Sequence, residues 1–378
     1  MKIIADENIP ALDPLFGHLG KIIRLPGRQM SPEHLVDADL LLVRSITSVN
    51  AELLQGSSVS FVGTATIGTD HVDQAALTEQ GIHFASAPGC NADAVAEYVI
   101  SALLHLAEEA SFSLLDKVVG IVGVGNVGSR LARRLGALGV KLLLCDPPKV
   151  DADPLLAHSF VSLEYLMAHA DVVTLHTPLT HEGSHPTYHL VNQHNLACLK
   201  TDAILINAGR GPVVDNQALL AFSQQRSDVT LVLDVWEEEP LVNRDLAKHV
   251  KIATPHIAGY SLEGKIRGTW MLYQAYCRKA NLPVSVSIDD ILPRPEVRSM
   301  YLSESVSLLT PVKLMYDPYR DDRVFRNSLS HLEEKQKAQF DQLRKNYPVR
   351  REFSALQLSG SDRLDQFNAL GFSVSETY

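Results

Sequence analysis

The sequence has little of what marks secreted, membrane-bound or disulfide-linked proteins. Its 378 residues include only four cysteines, and these are scattered, with no CxxC pair. This pattern speaks against a disulfide framework and favours a reducing, cytoplasmic compartment. No stretch is apolar enough to span a membrane, and the amino terminus turns acidic at Asp6 instead of continuing as a signal peptide.

Positive charge is also scarce. Lysine and arginine number 34 against 44 acidic residues, which gives a formal net charge of −10. This balance argues against a nucleic-acid-binding surface and carries no information about fold. Hydrophobic residues make up 46% of the chain and charged residues 21%, as in ordinary globular proteins. The length predicts two or three domains.

A glycine turn stands out among the features that are present. The run 118–122, in which four of the five residues are β-branched, predicts a strand buried on both faces, and Gly123, Gly125 and Gly128 follow it directly. In such a GxGxxG pattern the first glycine makes a tight turn, the second lets the backbone approach a pyrophosphate, and the third lets helix and strand pack closely. The helix that follows offers its unpaired N–H groups and positive dipole to the pyrophosphate.

Asp146 extends this pattern. It ends the next predicted strand, 141–145, at close to the spacing of about 20 residues expected for a carboxylate that binds the adenosine ribose. A carboxylate at this position would repel a 2′-phosphate, so the sequence predicts NAD and not NADP as the cofactor. The structural alternative is a solvated turn residue ahead of two prolines.

Further runs with the character of buried strands predict the fold. They are 2–5, 40–43, 59–62, 172–175, 203–206 and 230–233. The region from about 118 to 255 is therefore predicted to form a full doubly wound sheet, and the segment between the first two runs to be helical or irregular. Beyond about Ser285, Pro293 and Pro295 mark a linker to a separate α+β unit. Its main helix is predicted to open at a capping box, Ser330 with Glu333.

Arg210, Glu239 and His256 occupy turn positions on the predicted nicotinamide side. Oxidation of a 2-hydroxy acid needs a base for the hydroxyl proton, a cation for the carboxylate, and a group that orients the base. Histidine, arginine and glutamate supply these three functions. Each residue alone is more simply explained as part of a turn or helix start, so the hypothesis depends on their joint occurrence.

Four histidines are spaced somewhat like metal ligands: His181, His185, His189 and His194. A spacing of four aligns ligands only on a single helix, and Gly183 and Pro186 would interrupt that helix. We interpret the segment as a polar loop and predict no metal site.

The segments around the three ionisable residues resemble the signatures of the D-isomer-specific 2-hydroxyacid dehydrogenase family. These segments are 205–215, 233–241 and 254–259, and the resemblance covers about residues 1–280. It implies that His256 is the acid/base, that Glu239 is its partner and that Arg210 anchors the substrate carboxylate. Contacts to NAD are implied for Gly123, Gly125, Asn126, Val127, Gly128, Asp146, Thr177, Ala208, Asp234 and Gly259. Asp234 is expected beside the nicotinamide amide.

The resemblance also implies an architecture. The fold class is α/β, with two doubly wound parallel-sheet, Rossmann-like domains and a small α+β C-terminal dimerisation domain. Residues 1–94 and 257–285 are expected to form a discontinuous substrate-binding domain, residues 95–256 the NAD-binding domain, and residues 286–378 the C-terminal domain.

Other segments resemble the members of the family that act on one phosphorylated acid. These are 42–47, 63–71, 87–92, 259–261 and 344–347. They imply that Ser45, Thr66 and Tyr260 contact the substrate and that the tail forms a homodimer. The residues alone predict only a small or phosphorylated 2-hydroxy acid.

The tail leaves two choices open. Its apolar residues either pack against a second copy or fill the domain's own core; they are Phe340, Leu343, Phe353, Leu356 and Leu358. Arg350 and Arg351 either lie on a solvated basic face or reach the substrate phosphate of the partner subunit.

Two alternative functions also remain. One is another enzyme of the same family, acting on 3-phosphoglycerate or on hydroxypyruvate and glyoxylate. The other is a non-catalytic NAD-sensing protein on the same fold, for which the acidic surface offers little support. We therefore predict a cytoplasmic NAD-dependent oxidoreductase with no nucleic-acid or membrane partner.

Overall fold

A computed structural model describes residues 1–329 and 333–375. The chain folds into two units, each built from two separated stretches. The first unit contains Met1–Asn91 and Tyr260–Arg294, and the second contains Ala92–Gly259 and Pro295–Tyr378. No described helix is both long and apolar enough to cross a membrane.

The described residues form three parallel sheets and the helices around them. The strands are β1 (Lys2–Asp6), β2 (Lys21–Leu25), β3 (Leu40–Val43), β4 (Phe61–Thr64), β5 (His83–Ala85), β6 (Val118–Val122), β7 (Lys141–Cys145), β8 (Val172–Leu175), β9 (Ile204–Asn207), β10 (Thr230–Leu233), β11 (Ile252–Ala253), β12 (Ser299–Tyr301), β13 (Gln357–Ser359) and β14 (Ser373–Val374). The helices are α1 (Leu12–Phe16), α2 (Pro32–Leu35), α3 (Gln74–Glu79), α4 (Ala92–Glu109), α5 (Asn126–Ala137), α6 (Pro147–Ala152), α7 (Leu163–His169), α8 (Gln193–Leu196), α9 (Asn216–Gln225), α10 (Arg244–His249), α11 (Leu262–Ala280), α12 (Ile288–Ile291), α13 (Leu309–Met315), α14 (Pro318–Leu329), α15 (Glu333–Lys345) and α16 (Leu364–Leu370).

The first unit is a five-stranded parallel sheet in the order β2-β1-β3-β4-β5. Successive strand residues point to opposite faces, and both faces are apolar. Leu42 packs with Leu272 and Tyr273 of α11, whereas Leu41 packs with Leu35 and neighbouring residues. The strand order reverses between β1 and β3, and ligands of open parallel sheets bind outside the carboxyl ends at such a reversal.

Two strands of this sheet were not predicted. β2 lies in the segment predicted to be helical or irregular, and that prediction was wrong. Its sequence carries Lys21 and Arg24 on an edge strand that is covered less than the central strands, so it lacks the unbroken apolar run of a buried strand. β5 is the other edge and has only three residues.

The second unit contains a six-stranded parallel sheet in the order β11-β10-β9-β8-β6-β7. Here the order reverses between β6 and β8, so the turn after β6 faces the crevice of the sheet. The strands predicted at 118–122, 141–145, 172–175 and 230–233 have the predicted bounds. The α/β fold class with two Rossmann-like sheets is confirmed.

The C-terminal stretch contributes a small parallel sheet, β12-β13-β14, and four helices. Phe325 of α14 and Phe340 of α15 are buried and belong to the same core as Trp236, whose ring centroid lies 5.7 Å from that of Phe325. The apolar segment 353–358 begins as a 3₁₀ turn and becomes extended only at β13. The capping residue Ser330 lies outside the described residues.

The burial of the tail decides between its two interpretations. Phe340, Phe353, Leu356 and Leu358 have at most 1% of their surface exposed within a single chain, and Leu343 packs against the second unit's core. These residues fill the chain's own core. Their assignment to the surface between two copies was therefore wrong.

Candidate active site

The glycine turn after β6 has the shape that a dinucleotide requires. Gly123 has φ of +84°, and a Cβ there would lie 2.8 Å from the His176 carbonyl. A Cβ at Gly128 would lie 2.0 Å from the Gly123 oxygen, so both positions exclude a side chain. At Gly125 a Cβ would meet nothing within 4 Å. The turn is thus open at Gly125, which is the glycine expected to face the pyrophosphate.

Asp146 is tied to this turn. Its Oδ2 accepts a hydrogen bond of 2.7 Å from the Val124 N–H, and its Oδ1 accepts one of 3.2 Å from the backbone N–H of Lys149 in the first turn of α6. The residue is therefore held in place, unlike a solvated turn aspartate. A carboxylate offers about four acceptor sites, which leaves room for the two ribose hydroxyls.

Two buried polar atoms at the end of β8 have no partner among the described residues. They are His176 Nδ1 and Thr177 Oγ1. Burial lowers the pKa of His176 to about 3, so the ring is neutral, and its Nε2 lies 2.9 Å from Thr174 Oγ1. Unsatisfied buried polar groups are costly, and a bound nucleotide would supply partners. Thr177 was implied by the resemblance. The resemblance did not imply His176, although its place directly after β8 is a signal that could have identified it.

His256 and Glu239 form a direct pair. Glu239 Oε2 lies 2.7 Å from His256 Nδ1, and Glu239 Oε1 accepts a 2.8 Å hydrogen bond from the Trp236 N–H. Burial raises the pKa of Glu239, but the charge and hydrogen bond of His256 outweigh it and the pKa lies below its ordinary value. The His256 side chain is 33% exposed, and Nδ1 is engaged. Nε2 is therefore the ring nitrogen left for a substrate proton.

The backbone at His256 is in the left-handed region, with φ of +58°. This conformation costs a non-glycine residue about 1 kcal/mol or more, and Asp234 holds it. The Asp234 carbonyl accepts from the His256 N–H at 2.7 Å, and the carboxylate accepts from Ile257 and Ala258 at 2.8 and 2.9 Å. Asp234 is 1% exposed. It supports the turn that presents His256, and its contact to the nicotinamide stays a prediction.

A second layer of hydrogen bonds supports Asp234. The Thr254 hydroxyl donates to Asp234 Oδ1 at 2.6 Å, so it accepts from the Tyr98 hydroxyl, 2.9 Å away. Burial and the nearby Asp234 raise the pKa of Tyr98, which keeps its proton available. α4, which carries Tyr98, is thereby connected to the catalytic turn.

Arg350 also supports this turn, from within the same chain. Its Nη1 donates to the Ala258 carbonyl at 2.9 Å and its Nη2 to the Ala94 carbonyl at 2.7 Å, while the guanidinium lies 3.7 Å from the Tyr316 ring centroid. Only 4% of the residue is exposed. The hypothesis that Arg350 reaches a partner's phosphate was therefore wrong, because the guanidinium is buried and both of its terminal nitrogens donate inside its own subunit. For Arg351 the hypothesis stays a prediction.

The loop of Arg210 packs against the loop of Glu239. A Cβ at Gly211 would lie 1.9 Å from the Trp236 carbonyl oxygen, so only glycine permits this approach. Asn207 stiffens the loop, since its amide accepts from the Gly209 N–H and donates to the Arg210 carbonyl. Arg210 itself is half-buried and donates to the Gly209 carbonyl at 2.9 Å. Ala208 and Gly209 complete the loop.

One of the four histidines considered as metal ligands lies near two carboxylates. His189, Asp215 and Glu237 place possible ligand atoms within 4.8 Å of one another. His189 Nε2 is hydrogen-bonded to Glu237 at 2.5 Å, and Glu237 also accepts from the Asn216 N–H. These hydrogen bonds join the His189 loop to the segments that carry Glu237 and Asn216.

The residues implied to contact substrate belong to the first unit. Ser45 and Thr66 follow the neighbouring strands β3 and β4, whose last residues, Val43 and Thr64, are paired. The Thr66 hydroxyl donates to the Gly68 carbonyl at 2.9 Å. Tyr260 precedes α11, and Gly259 ends the second unit's central stretch.

Comparison with known proteins identifies the family. The NAD-binding domain of D-isomer-specific 2-hydroxyacid dehydrogenases matches residues 104–258, and a domain family of unknown function matches residues 291–371. The erythronate-4-phosphate dehydrogenase of Marinobacter nauticus is 51% identical over 383 residues, covering 99% of this chain and all of that protein. That of Proteus mirabilis is 50% identical over 380 residues, covering 99% of this chain and all of that protein.

Solved structures of 2-hydroxyacid dehydrogenases are similar to this fold. A 3-phosphoglycerate dehydrogenase of Entamoeba histolytica with bound NAD⁺ has 25% identity and a TM-score of 0.63, and the match covers 77% of this chain and 99% of that one. A D-lactate dehydrogenase of Aquifex aeolicus complexed with NAD and lactic acid has 25% identity and a TM-score of 0.60, covering 74% and 96%. The chain belongs to the D-isomer-specific 2-hydroxyacid dehydrogenase family and is an NAD-dependent dehydrogenase.

Proposed function

We propose that this chain oxidises 4-phospho-D-erythronate to 3-hydroxy-2-oxo-4-phosphooxybutanoate, a step in pyridoxal 5′-phosphate synthesis. The His256–Glu239 pair of 2.7 Å, set in a turn held by Asp234, is the observation that carries the chemistry. The substrate follows from the curated relatives that match over nearly their whole length.

The chain's own residues have distinct roles in this reaction. His256 Nε2 takes the proton of the C2 hydroxyl, and Glu239 at Nδ1 keeps the tautomer that leaves Nε2 free to do so. The Arg210 guanidinium binds the substrate carboxylate. NAD, held at the glycine turn and Asp146, would supply the acceptor for the hydride that leaves C2. Loss of that proton and hydride converts the alcohol to the 2-oxo acid.

The test is a comparison of substrates, with NADH formation followed by absorbance. The purified protein is assayed with 4-phospho-D-erythronate and 3-phosphoglycerate. It is also assayed with glycerate and glycolate, the hydroxy acids that correspond to hydroxypyruvate and glyoxylate. We expect the highest kcat/KM for 4-phospho-D-erythronate. A higher value for 3-phosphoglycerate would assign a different substrate within the family, and absence of turnover would favour an NAD-sensing binding protein.

The cofactor preference depends on Asp146. We expect Asp146→Ala to weaken NAD binding about 10- to 100-fold, because a charged acceptor for ribose hydroxyls is lost, and to narrow the preference for NAD over NADP. Calorimetric titration with both cofactors measures this. Asp151→Ala, on the exposed face of α6, is the control. Equal use of both cofactors by the wild-type protein would contradict the assignment.

The role of Glu239 predicts a change in pH dependence. A carboxylate beside His256 stabilises the protonated imidazole, and a neutral amide does not. We therefore expect Glu239→Gln to move the acidic limb of the oxidation-rate profile to lower pH and to reduce kcat about tenfold or more. Glu238→Gln, at the exposed residue next to Glu239, is the control. A profile identical to that of the wild type would refute the pairing.

The tail is proposed to form a homodimer through a surface different from the residues first expected. Leu314, Val324 and Val349 are 52%, 52% and 77% exposed, and all three line a cavity of about 540 Å³ between the C-terminal helices. Clustered exposed apolar side chains of this kind favour association.

None of the four cysteines, all of them in the described residues, forms a disulfide, which supports a cytoplasmic location.

We expect the double variant Leu314→Glu, Val349→Glu to sediment as a monomer, since a charge at each position would be buried without a partner. Val36→Glu, at an exposed valine of the first unit, should leave the dimer intact. This test is cleaner than truncation at Ser285, which would also remove Phe325 and Phe340 from the core of the second unit. A dimer that survives the double substitution would exclude this surface.

A further inference from the structure

Arg44 and Lys265 are partly buried cations of the first unit, and neither has a counterion among the described residues. Arg44 directly follows β3, and Lys265 lies in the second turn of α11. Within the described part of the chain, neither side chain has a hydrogen-bond or ion-pair partner; the Lys265 ammonium only lies 4.7 Å from the centre of the Tyr260 ring. This is notable in a protein whose formal net charge is −10, where carboxylates are in excess.

The fold brings both cations to one edge of the sheet. β3 and β4 end side by side, with the Ala65 N–H donating to the Val43 carbonyl at 2.9 Å. α11 passes along this edge, since a Cβ at Gly268 would lie 3.3 Å from the Ala65 oxygen. Lys265 is three residues before Gly268 and so lies on the same side of the helix. Arg44 therefore follows one of the two strands that Lys265 approaches.

The electrostatics at this edge are those of an incomplete site. Burial, and then the positive charge of Arg44, lower the pKa of Lys265 to about 8. Two like charges that are partly buried together destabilise each other unless an anion lies between them. The edge is also the position, next to the reversal of strand order at β1 and β3, where parallel sheets bind ligands. An anionic ligand group is the partner that this arrangement lacks.

We propose that Arg44 and Lys265 bind the phosphate group of the substrate and so select a phosphorylated 2-hydroxy acid. Arg44 offers a planar fork of donors and Lys265 a mobile point charge, which suit a phosphate monoester dianion. The hydroxyls of Ser45 and Thr66 belong to the same two strand ends. The proposal rests on the proposed function for the identity of the substrate, but it assigns the phosphate to the first unit of the chain.

The first experiment compares 4-phospho-D-erythronate with D-erythronate. We expect Lys265→Met and Arg44→Gln each to reduce the preference for the phosphorylated acid, expressed as the ratio of the two kcat/KM values, about 10- to 100-fold. Lys265→Arg retains the charge and should restore most of the preference. Lys279→Met, on the same helix but bonded to Ser60, is the matched control.

A preference that is unchanged in both neutral variants would overturn the proposal. An equal loss on both substrates would do so as well, because it would assign the cations to the carboxylate that the two acids share. If the wild-type protein does not oxidise 4-phospho-D-erythronate, the proposed function fails but the subsite is still tested. Calorimetric titration with inorganic phosphate should then show binding to the wild type that is at least tenfold weaker in Lys265→Met, and equal binding would refute the site.

Discussion

Replacement of His256 by alanine is expected to reduce kcat about 100- to 10,000-fold, with the affinity for NAD nearly unchanged. A positioned general base contributes a factor of this size, and His256 is held for this role by Glu239, whose Oε2 lies 2.7 Å from Nδ1. The glycine turn and Asp146, which are expected to bind the dinucleotide, do not include His256. Stopped-flow measurement of NADH formation gives the rate, and titration calorimetry gives the NAD affinity.

The matched control is His249→Ala, at an exposed histidine that ends α10. It should retain wild-type kcat. Added imidazole should restore part of the activity of His256→Ala, because it can occupy the space left by the side chain and accept the proton. Retention of more than about a tenth of wild-type kcat in His256→Ala would show that another group is the base.

The second large effect is expected for Arg350→Met. The substitution leaves the Ala94 and Ala258 carbonyls without their donor and removes a cation 4.0 Å from the fully buried Glu97. A buried acceptor that loses its donor costs about 1–3 kcal/mol, so the two carbonyls together are expected to cost about 3 kcal/mol. Urea unfolding should show this loss of stability, and kcat should fall as well, because Ala258 belongs to the turn that presents His256.

The pH dependence of this loss has a predictable sign. Burial raises the pKa of Glu97 to about 8, even though Arg134 and Arg350 lower it. Without Arg350 the folded-state pKa rises further, so ionisation of Glu97 becomes more costly in the folded protein. The difference in stability between wild type and Arg350→Met should therefore grow as the pH rises through about 8. Arg351→Met is the control, and an equal effect in that variant would refute a specific role for Arg350.

The sequence predicted the central strands well for a physical reason. A strand buried on both faces needs a nearly continuous apolar run, and Val118–Val122 and Val172–Leu175 have one. β2 was not predicted because an edge strand tolerates charged residues. β11 was not predicted because a strand of two residues is too short to show hydrophobic periodicity. Local pattern therefore identifies the middle of each sheet better than its margins.

The chemistry of the site was also predictable where residue type determines it. A histidine and a glutamate 17 positions apart could be paired because the reaction needs both, and the structure places them in contact. Arg350 could not be placed in this way. Its partners Ala258 and Ala94 lie 92 and 256 positions away and contribute only backbone carbonyls, which every residue possesses. No side-chain pattern reports a contact of that kind.

The hydrogen bond from Arg350 to Ala258 has a consequence for biosynthesis. A ribosome completes the His256 turn and its support from Asp234 long before it adds Arg350, which follows Ala258 by 92 positions. During that interval the nascent chain already contains every residue assigned to the proton transfer, yet the outer support of the turn has not been made. A segment that is translated much later thus completes the packing around the catalytic histidine, and a product terminated before Arg350 lacks this support.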